Sequence, residues 1–172
     1  IAMGKSTAAR LFRRLRVPVY DADATIHTLL AEGGAGVGPV AAAFPGVARG
    51  GAVDRAKLGA AVFAEPASLA KLEAILHPLA ARARDGFLAR HRRLRTKRVV
   101  LDVPLLFETG GERSCDLTVV VSASSTLQRQ RALARPGMTH AKLAGILARQ
   151  MPDALKRRRA DIVAISALGL LP

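Results

Sequence analysis

Ile1-Ala2-Met3-Gly4-Lys5-Ser6-Thr7 opens the chain, and the reading of this stretch decides the fold. Gly4-Lys5-Ser6-Thr7 is the second half of a Walker A loop, Gly-x4-Gly-Lys-[Ser/Thr]. In such a loop, backbone N–H groups at a helix start face phosphate oxygens. The lysine reaches the outer phosphates and the hydroxyl holds Mg²⁺. Gly4, Lys5, Ser6 and Thr7 are therefore expected to bind nucleotide phosphates, with Ser6 as a metal ligand. Alone the tetrapeptide is a weak signal; its place at the head of a helix expected over Lys5 to Arg14 strengthens it. The motif's first glycine and preceding strand are expected upstream of Ile1, so an N-terminal piece is read as missing and the isolated chain is expected to fold poorly or bind ATP weakly.

Outward from this loop, short apolar runs alternate with helical periodicity. Strands are expected at Val17 to Tyr20, Arg98 to Val103, Leu117 to Val121 and Asp161 to Ile165. Helices are expected over Ala24 to Leu30, Val37 to Phe44, Arg55 to Phe63 and Ala67 to Leu76, with Pro78 opening or kinking the next one to about Arg95. Further helices are expected over Ser125 to Ala134 and from Thr139, as cap, to Gln150; Pro152 starts another. This alternation predicts an α/β fold of three layers around a parallel sheet. Gly33 to Gly38 and Arg49-Gly50-Gly51 are Gly-rich breaks, and the stretch from Gly33 to Arg95, read as strandless, looks like an insertion able to cover a substrate.

Composition narrows the class. The chain has 172 residues, enough for one domain with a small inserted subdomain. Half of it is hydrophobic but only 3% is aromatic, so the core is expected to be aliphatic. A formal charge of +14 favours anionic partners, although arginine-rich composition without function gives the same balance. One cysteine, Cys115, excludes an internal disulfide and a multi-cysteine zinc site. No apolar run approaches the length of a membrane span.

Carboxylates close two of the expected strands. Asp21-Ala22-Asp23 ends the first, at the crevice where α/β folds bind ligands. If the segment stays extended, both side chains face one way, and one can accept the proton of an attacking hydroxyl. The alternative is a capping role, with Asp23 as N-cap of the next helix. Asp102 closes the strand at Val103 where a Walker B carboxylate would hold Mg²⁺, and Leu105-Leu106-Phe107-Glu108 follows as an apolar wall with an acidic end. Arg129, Arg131, Arg135 and Arg149 flank the Pro136-Gly137 turn, as arginines of a lid closing over ATP would. His77 reads equally well as a ligand contact or a satisfied buried histidine. Together these residues predict transfer of the γ-phosphate of ATP to a hydroxyl of a small anionic acceptor.

With these landmarks in place the chain resembles the dephospho-CoA kinase family over nearly its whole length. The resemblance rests on Gly4-Lys5-Ser6-Thr7, Val19-Tyr20-Asp21-Ala22-Asp23 with His27, and Ile75-Leu76-His77-Pro78. It continues through Leu101-Asp102-Val103-Pro104-Leu105-Leu106-Phe107-Glu108, Ala134-Arg135-Pro136-Gly137-Met138-Thr139 and Arg149-Gln150-Met151-Pro152. It implies a P-loop kinase fold, with a helical acceptor-binding insertion at about 33–95 and a helical lid at about 135–155. It also implies ATP-dependent phosphorylation of the ribose 3′-hydroxyl of dephospho-CoA in the cytoplasm. Asp23 is then the general base, Lys5 the phosphate clamp and Arg135 the lid arginine, with Arg149 beside it. Ser6 and Asp102 would serve Mg²⁺, and Asp21, Asp23, His77, Leu105 and Glu108 would meet the acceptor. One departure stands out. Apolar Ile165, in Ala164-Ile165-Ser166-Ala167, occupies a position that is usually polar, which bears on contacts at the adenine side and on whether turnover is kept.

Two rivals remain. Another small-acceptor P-loop kinase, of the nucleoside monophosphate type, shares the loop and lid but not the Asp-Ala-Asp segment before a long helical insert. A basic, non-catalytic nucleic-acid-binding domain fits the charge, yet one Tyr and no Trp leave few stacking platforms. Only weak, non-specific nucleic-acid binding is expected.

Overall fold

Apolar runs and helical periodicity emerge in the expected alternation in a computed structural model, which describes residues 1–63 and 65–166. The chain divides into two compact units, one formed by Ile1–Val17 with the chain from Asp102 onward, the other by Pro18–Leu101.

In the first unit, helix α1 (Lys5–Arg14) opens behind Gly4. Strands β5 (Val119–Ser122) and β6 (Ile162–Ile165) pair in parallel, with Val119 opposite Ile162 and Ser122 opposite Ile165. A side-chain lock sets this register. Asp161 Oδ2 accepts from the Thr118 N–H at 2.7 Å and the Thr118 hydroxyl at 2.6 Å. Between these strands run α6 (Ser125–Leu133), α7 (His140–Ala148) and α8 (Asp153–Arg159). Ser124 caps α6 through the Leu127 N–H, and Thr139 caps α7 through the Lys142 N–H, as its sequence position predicts. Ala2, Ala132 and Leu143 form a small buried core with Ile1, Leu133 and Met138 against it.

The second unit contains β1 (Val19–Asp21), α2 (Ala22–Leu30) and α3 (Val37–Ala43). After these come α4 (Arg55–Phe63), α5 (Pro66–Arg93) and the strand β4 (Val100–Asp102), which pairs with β1 and runs out of the unit at its last residue. The Val100 N–H donates to the Pro18 carbonyl at 2.9 Å. Leu30, Val40, Phe44, Val47, Val53, Leu58 and Leu76 make the aliphatic core that the composition predicts, with a single aromatic ring in it.

Three local expectations need correction. The stretch from Gly33 to Arg95 is not strandless, because β2 (Ala48–Arg49) and β3 (Ala52–Val53) form a short antiparallel hairpin. Gly50 and Gly51 both take positive φ, 58° and 77°, the backbone that a two-residue turn with right-handed strand twist demands. Second, Pro78 neither opens a helix nor ends one: α5 runs unbroken for 28 residues. Proline there removes one N–H donor, but packing holds the helix on both sides. Leu76 is buried in the core, the Ala80 carbonyl accepts from the Tyr20 hydroxyl at 3.1 Å, and Phe87 lies against the Tyr20 ring.

Third, Asp21 rather than Asp23 caps α2, accepting from the Ala24 N–H at 3.0 Å. The chain turns helical at Ala22, so Asp23 lies in the first helical turn and the same-side argument for an extended segment does not apply.

Candidate nucleotide site

The residues of the half Walker motif lie in the first unit. Gly4 takes φ 100° and ψ 6°, a left-handed conformation that favours glycine. A Cβ there would stand 2.9 Å from Ser166 Cβ, so space and backbone both require glycine. Ala2 is also left-handed, at φ 58°, and is buried in the core. No side chain caps α1 and no acidic residue lies in its first turn. Its first N–H groups, which have no carbonyl partner within the helix, thus begin the helix with a positive dipole end.

Lys5 Nζ lies 2.6 Å from Asp102 Oδ1. The carboxylate is buried, with 5% of its side chain exposed, while the lysine remains one-third exposed. This brings together the lysine of the half Walker motif and the strand-end acid, two residues singled out independently from sequence. Ser6 is exposed on the first turn, and the Thr7 hydroxyl accepts from Arg10 Nη2 at 3.3 Å.

Arg135 follows α6 and is exposed; Arg149 ends α7 and is exposed too. After β4, Leu105 is half-exposed and Phe107 is buried under the Arg159 guanidinium. Glu108 is engaged internally: its Oε1 accepts from the Met151 N–H and the Lys156 ammonium, both at 2.7 Å. Burial pushes this carboxyl up, but the bonds from Lys156 and Met151 outweigh it and hold Glu108 below the usual carboxylate range.

Asp21, Asp23, His27 and His77 belong to the second unit. Asp21 is half-buried at its capping position, and Asp23 is exposed one residue into α2. His27 Nδ1 lies 3.2 Å from Arg55 Nη1. His77 is exposed on α5, which removes the buried-histidine alternative. Sequence reasoning missed the part played by Ser166, whose hydroxyl reaches the Met3 carbonyl. The polar contact at the end of β6 falls there, next to a half-exposed Ile165. No local signal marks a partner 163 residues away.

The family model for CoaE, dephospho-CoA kinase, matches residues 1–167. The chain belongs to the dephospho-CoA kinase family. A dephospho-CoA kinase of Paramagnetospirillum magneticum is 64% identical over 157 residues, covering 91% of this chain and 74% of that protein. One of Rhodospirillum rubrum is 57% identical, covering all of this chain and 82% of the relative. A crystal structure from Thermus thermophilus superposes with a TM-score of 0.79 at 34% identity, over 99% of this chain and 86% of that one. The dephospho-CoA kinase of Campylobacter jejuni has a TM-score of 0.69 over the same shares of the two chains, and at 23% identity supports the fold alone. Dephospho-CoA kinases are transferases that use ATP as a substrate to phosphorylate dephospho-CoA to coenzyme A, so the enzyme class read from the sequence is that of the family. Among the described residues no helix is long and apolar enough to cross a membrane.

Proposed function

We propose that this member of the family transfers the γ-phosphate of ATP to the ribose 3′-hydroxyl of its acceptor, with Asp23 as general base and Mg²⁺ as the metal. The observation that carries the reading is the Lys5 ammonium held 2.6 Å from buried Asp102 at the start of α1. Before nucleotide arrives, Asp102 holds the lysine in place; phosphate oxygens then compete for it. Gly4 and Thr7 supply the loop around those oxygens, and Arg135 and Arg149 neutralise charge from the lid at about 135–155.

The residues present fit Mg²⁺. Among the described residues no group of three or more His, Cys, Asp or Glu could hold a metal by itself. Mg²⁺ in a kinase keeps several waters and takes one or two protein ligands beside the phosphates. The Ser6 hydroxyl and the Asp102 carboxylate supply that small set. When bound, the ion would neutralise oxygens of the transferring group.

In the helical region at about 33–95 and beside it, Asp21, Asp23 and His77 serve the acceptor; Leu105 offers it an apolar contact. Asp23 is supported by its exposure in the first turn of α2. Asp21 keeps its cap while it orients that turn. Glu108 is bound through Oε1 by Lys156 and the Met151 N–H, which leaves its buried Oε2 for the acceptor. The partners are small molecules, with no requirement for nucleic acid or a membrane, and a single cysteine suits a cytoplasmic enzyme.

Release of ADP, measured with dephospho-CoA and a panel of nucleoside monophosphates, tests the acceptor. Turnover with a monophosphate but not with dephospho-CoA reverses the reading. Asp23→Asn is expected to lower kcat by about 10²–10⁴ with little change in ATP affinity. Near-normal turnover in that variant removes Asp23 from the base role.

A further inference from the structure

Three pieces of the first unit meet behind the phosphate loop. Ser166 Oγ donates to the Met3 carbonyl at 2.6 Å. The same oxygen accepts from Arg131 Nη1 at 2.9 Å, and Arg131 Nη2 donates to the Ser166 carbonyl at 2.9 Å. The Ser166 N–H donates to the Ser122 carbonyl at 2.8 Å, which ties this residue to the end of the β5–β6 pair. Gly4 packs against it so closely that no Cβ would fit.

We propose that Ser166 is a positioning residue for nucleotide binding, holding the Met3–Gly4 peptide so that the Gly4 N–H points at the phosphates. A planar trans peptide carries its C=O and N–H on opposite edges. Pinning the Met3 carbonyl on Ser166 therefore turns the Gly4 N–H away from Ser166. A serine hydroxyl has one proton to give, and here it goes to Met3 while a lone pair takes Arg131. The guanidinium charge polarises the hydroxyl and strengthens its donation. Without the hydroxyl, the Met3–Gly4 peptide can rotate, because Gly4 lacks the side chain that would restrict it. Ser166 touches no substrate in this scheme and acts through the loop. The inference rests on the reading of Gly4 to Thr7 as the phosphate loop.

A merely structural Ser166 would lower melting temperature without singling out ATP. The test is calorimetric binding of Mg-ATP, with KM for both substrates and kcat, in the wild-type protein and three variants. Ser166→Ala is expected to weaken Mg-ATP binding about tenfold, as loss of a charge-assisted hydrogen bond would. KM for dephospho-CoA and kcat at saturating ATP should change far less. Ser166→Thr keeps the hydroxyl and should restore affinity to within about twofold of wild type. Ser166→Cys keeps the volume but donates poorly, so it should behave like the alanine variant and serves in its place should that variant not fold. Wild-type affinity in both the Ala and Cys variants, or failure of Thr to restore binding, overturns the inference while leaving the loop assignment intact. Absence of Mg-ATP binding by the wild-type protein would instead bring down the loop assignment itself.

Discussion

At the scale of single residues, the proposed phosphate clamp is a charge held partly out of water. Asp102 is buried and its oxygen faces the Lys5 ammonium, so the lysine is aimed before any substrate binds. Lys5→Met removes that cation and is expected to lower kcat/KM by about 10²–10³, the scale of losing one preorganised electrostatic contact to the reacting group. Steady-state rates with ATP and dephospho-CoA measure it. A variant within about threefold of wild type would contradict the clamp role. Arginine should not substitute, because its larger planar head cannot occupy the point contact of an ammonium.

At the scale of elements, α8 is fastened to the segment after β4 by carboxylates. Glu108 takes Lys156 and the Met151 N–H, and Glu112 pairs with Arg159. At the β5–β6 pair, Asp161 takes both the hydroxyl and the N–H of Thr118, and those bonds hold its carboxyl below the usual range. Glu108 is held low as well. A carboxylate whose folded pKa is depressed contributes stability above its unfolded value, and that stability is lost as pH falls through the folded value. The window therefore opens below the ordinary glutamate value of 4.5 and extends into more acid solution. Thermal melts from roughly pH 6 to pH 3 should show this loss, and Glu108→Gln should make it shallower by removing one titrating group while keeping an acceptor oxygen. An acid limb as steep as the wild type's would exclude Glu108 as a contributor.

At the scale of the whole molecule, each compact unit has its own core. The second is aliphatic apart from Phe44, with Leu76 of α5 at 6% exposure among Leu30, Val40 and Leu58. Leu76→Ala should cost about 2–5 kcal/mol, the range for deleting a buried leucine and leaving a cavity. Denaturant unfolding measures the total. Hydrogen exchange should place the lost protection in α2, α3 and α5 before α6 and α7. Equal loss everywhere would mean that the two units unfold as one.

Part of this architecture was legible from local chemistry. The half Walker motif, the acid at the end of an apolar run and Thr139 ahead of a helix each carry their signal within a few residues, because a cap, a turn or a strand end is a short-range solution to backbone hydrogen bonding. Such signals also misled: strands of two residues are too short to alternate, so the hairpin at Gly50-Gly51 read as a mere break, and Asp21 and Asp23 compete for one cap that only the start of α2 decides. Local rules left open whether Pro78 opens a helix or lies within one, and α5 passes through it, with contacts from Tyr20 and the core on either side. Short-range patterns along the chain were enough for the family and the kind of chemistry. That Lys5 rests on Asp102 and that Ser166 holds Met3 comes from the fold, because those pairs are brought together by the folded strands and helices, and no spacing along the chain encodes a contact across 97 or 163 residues.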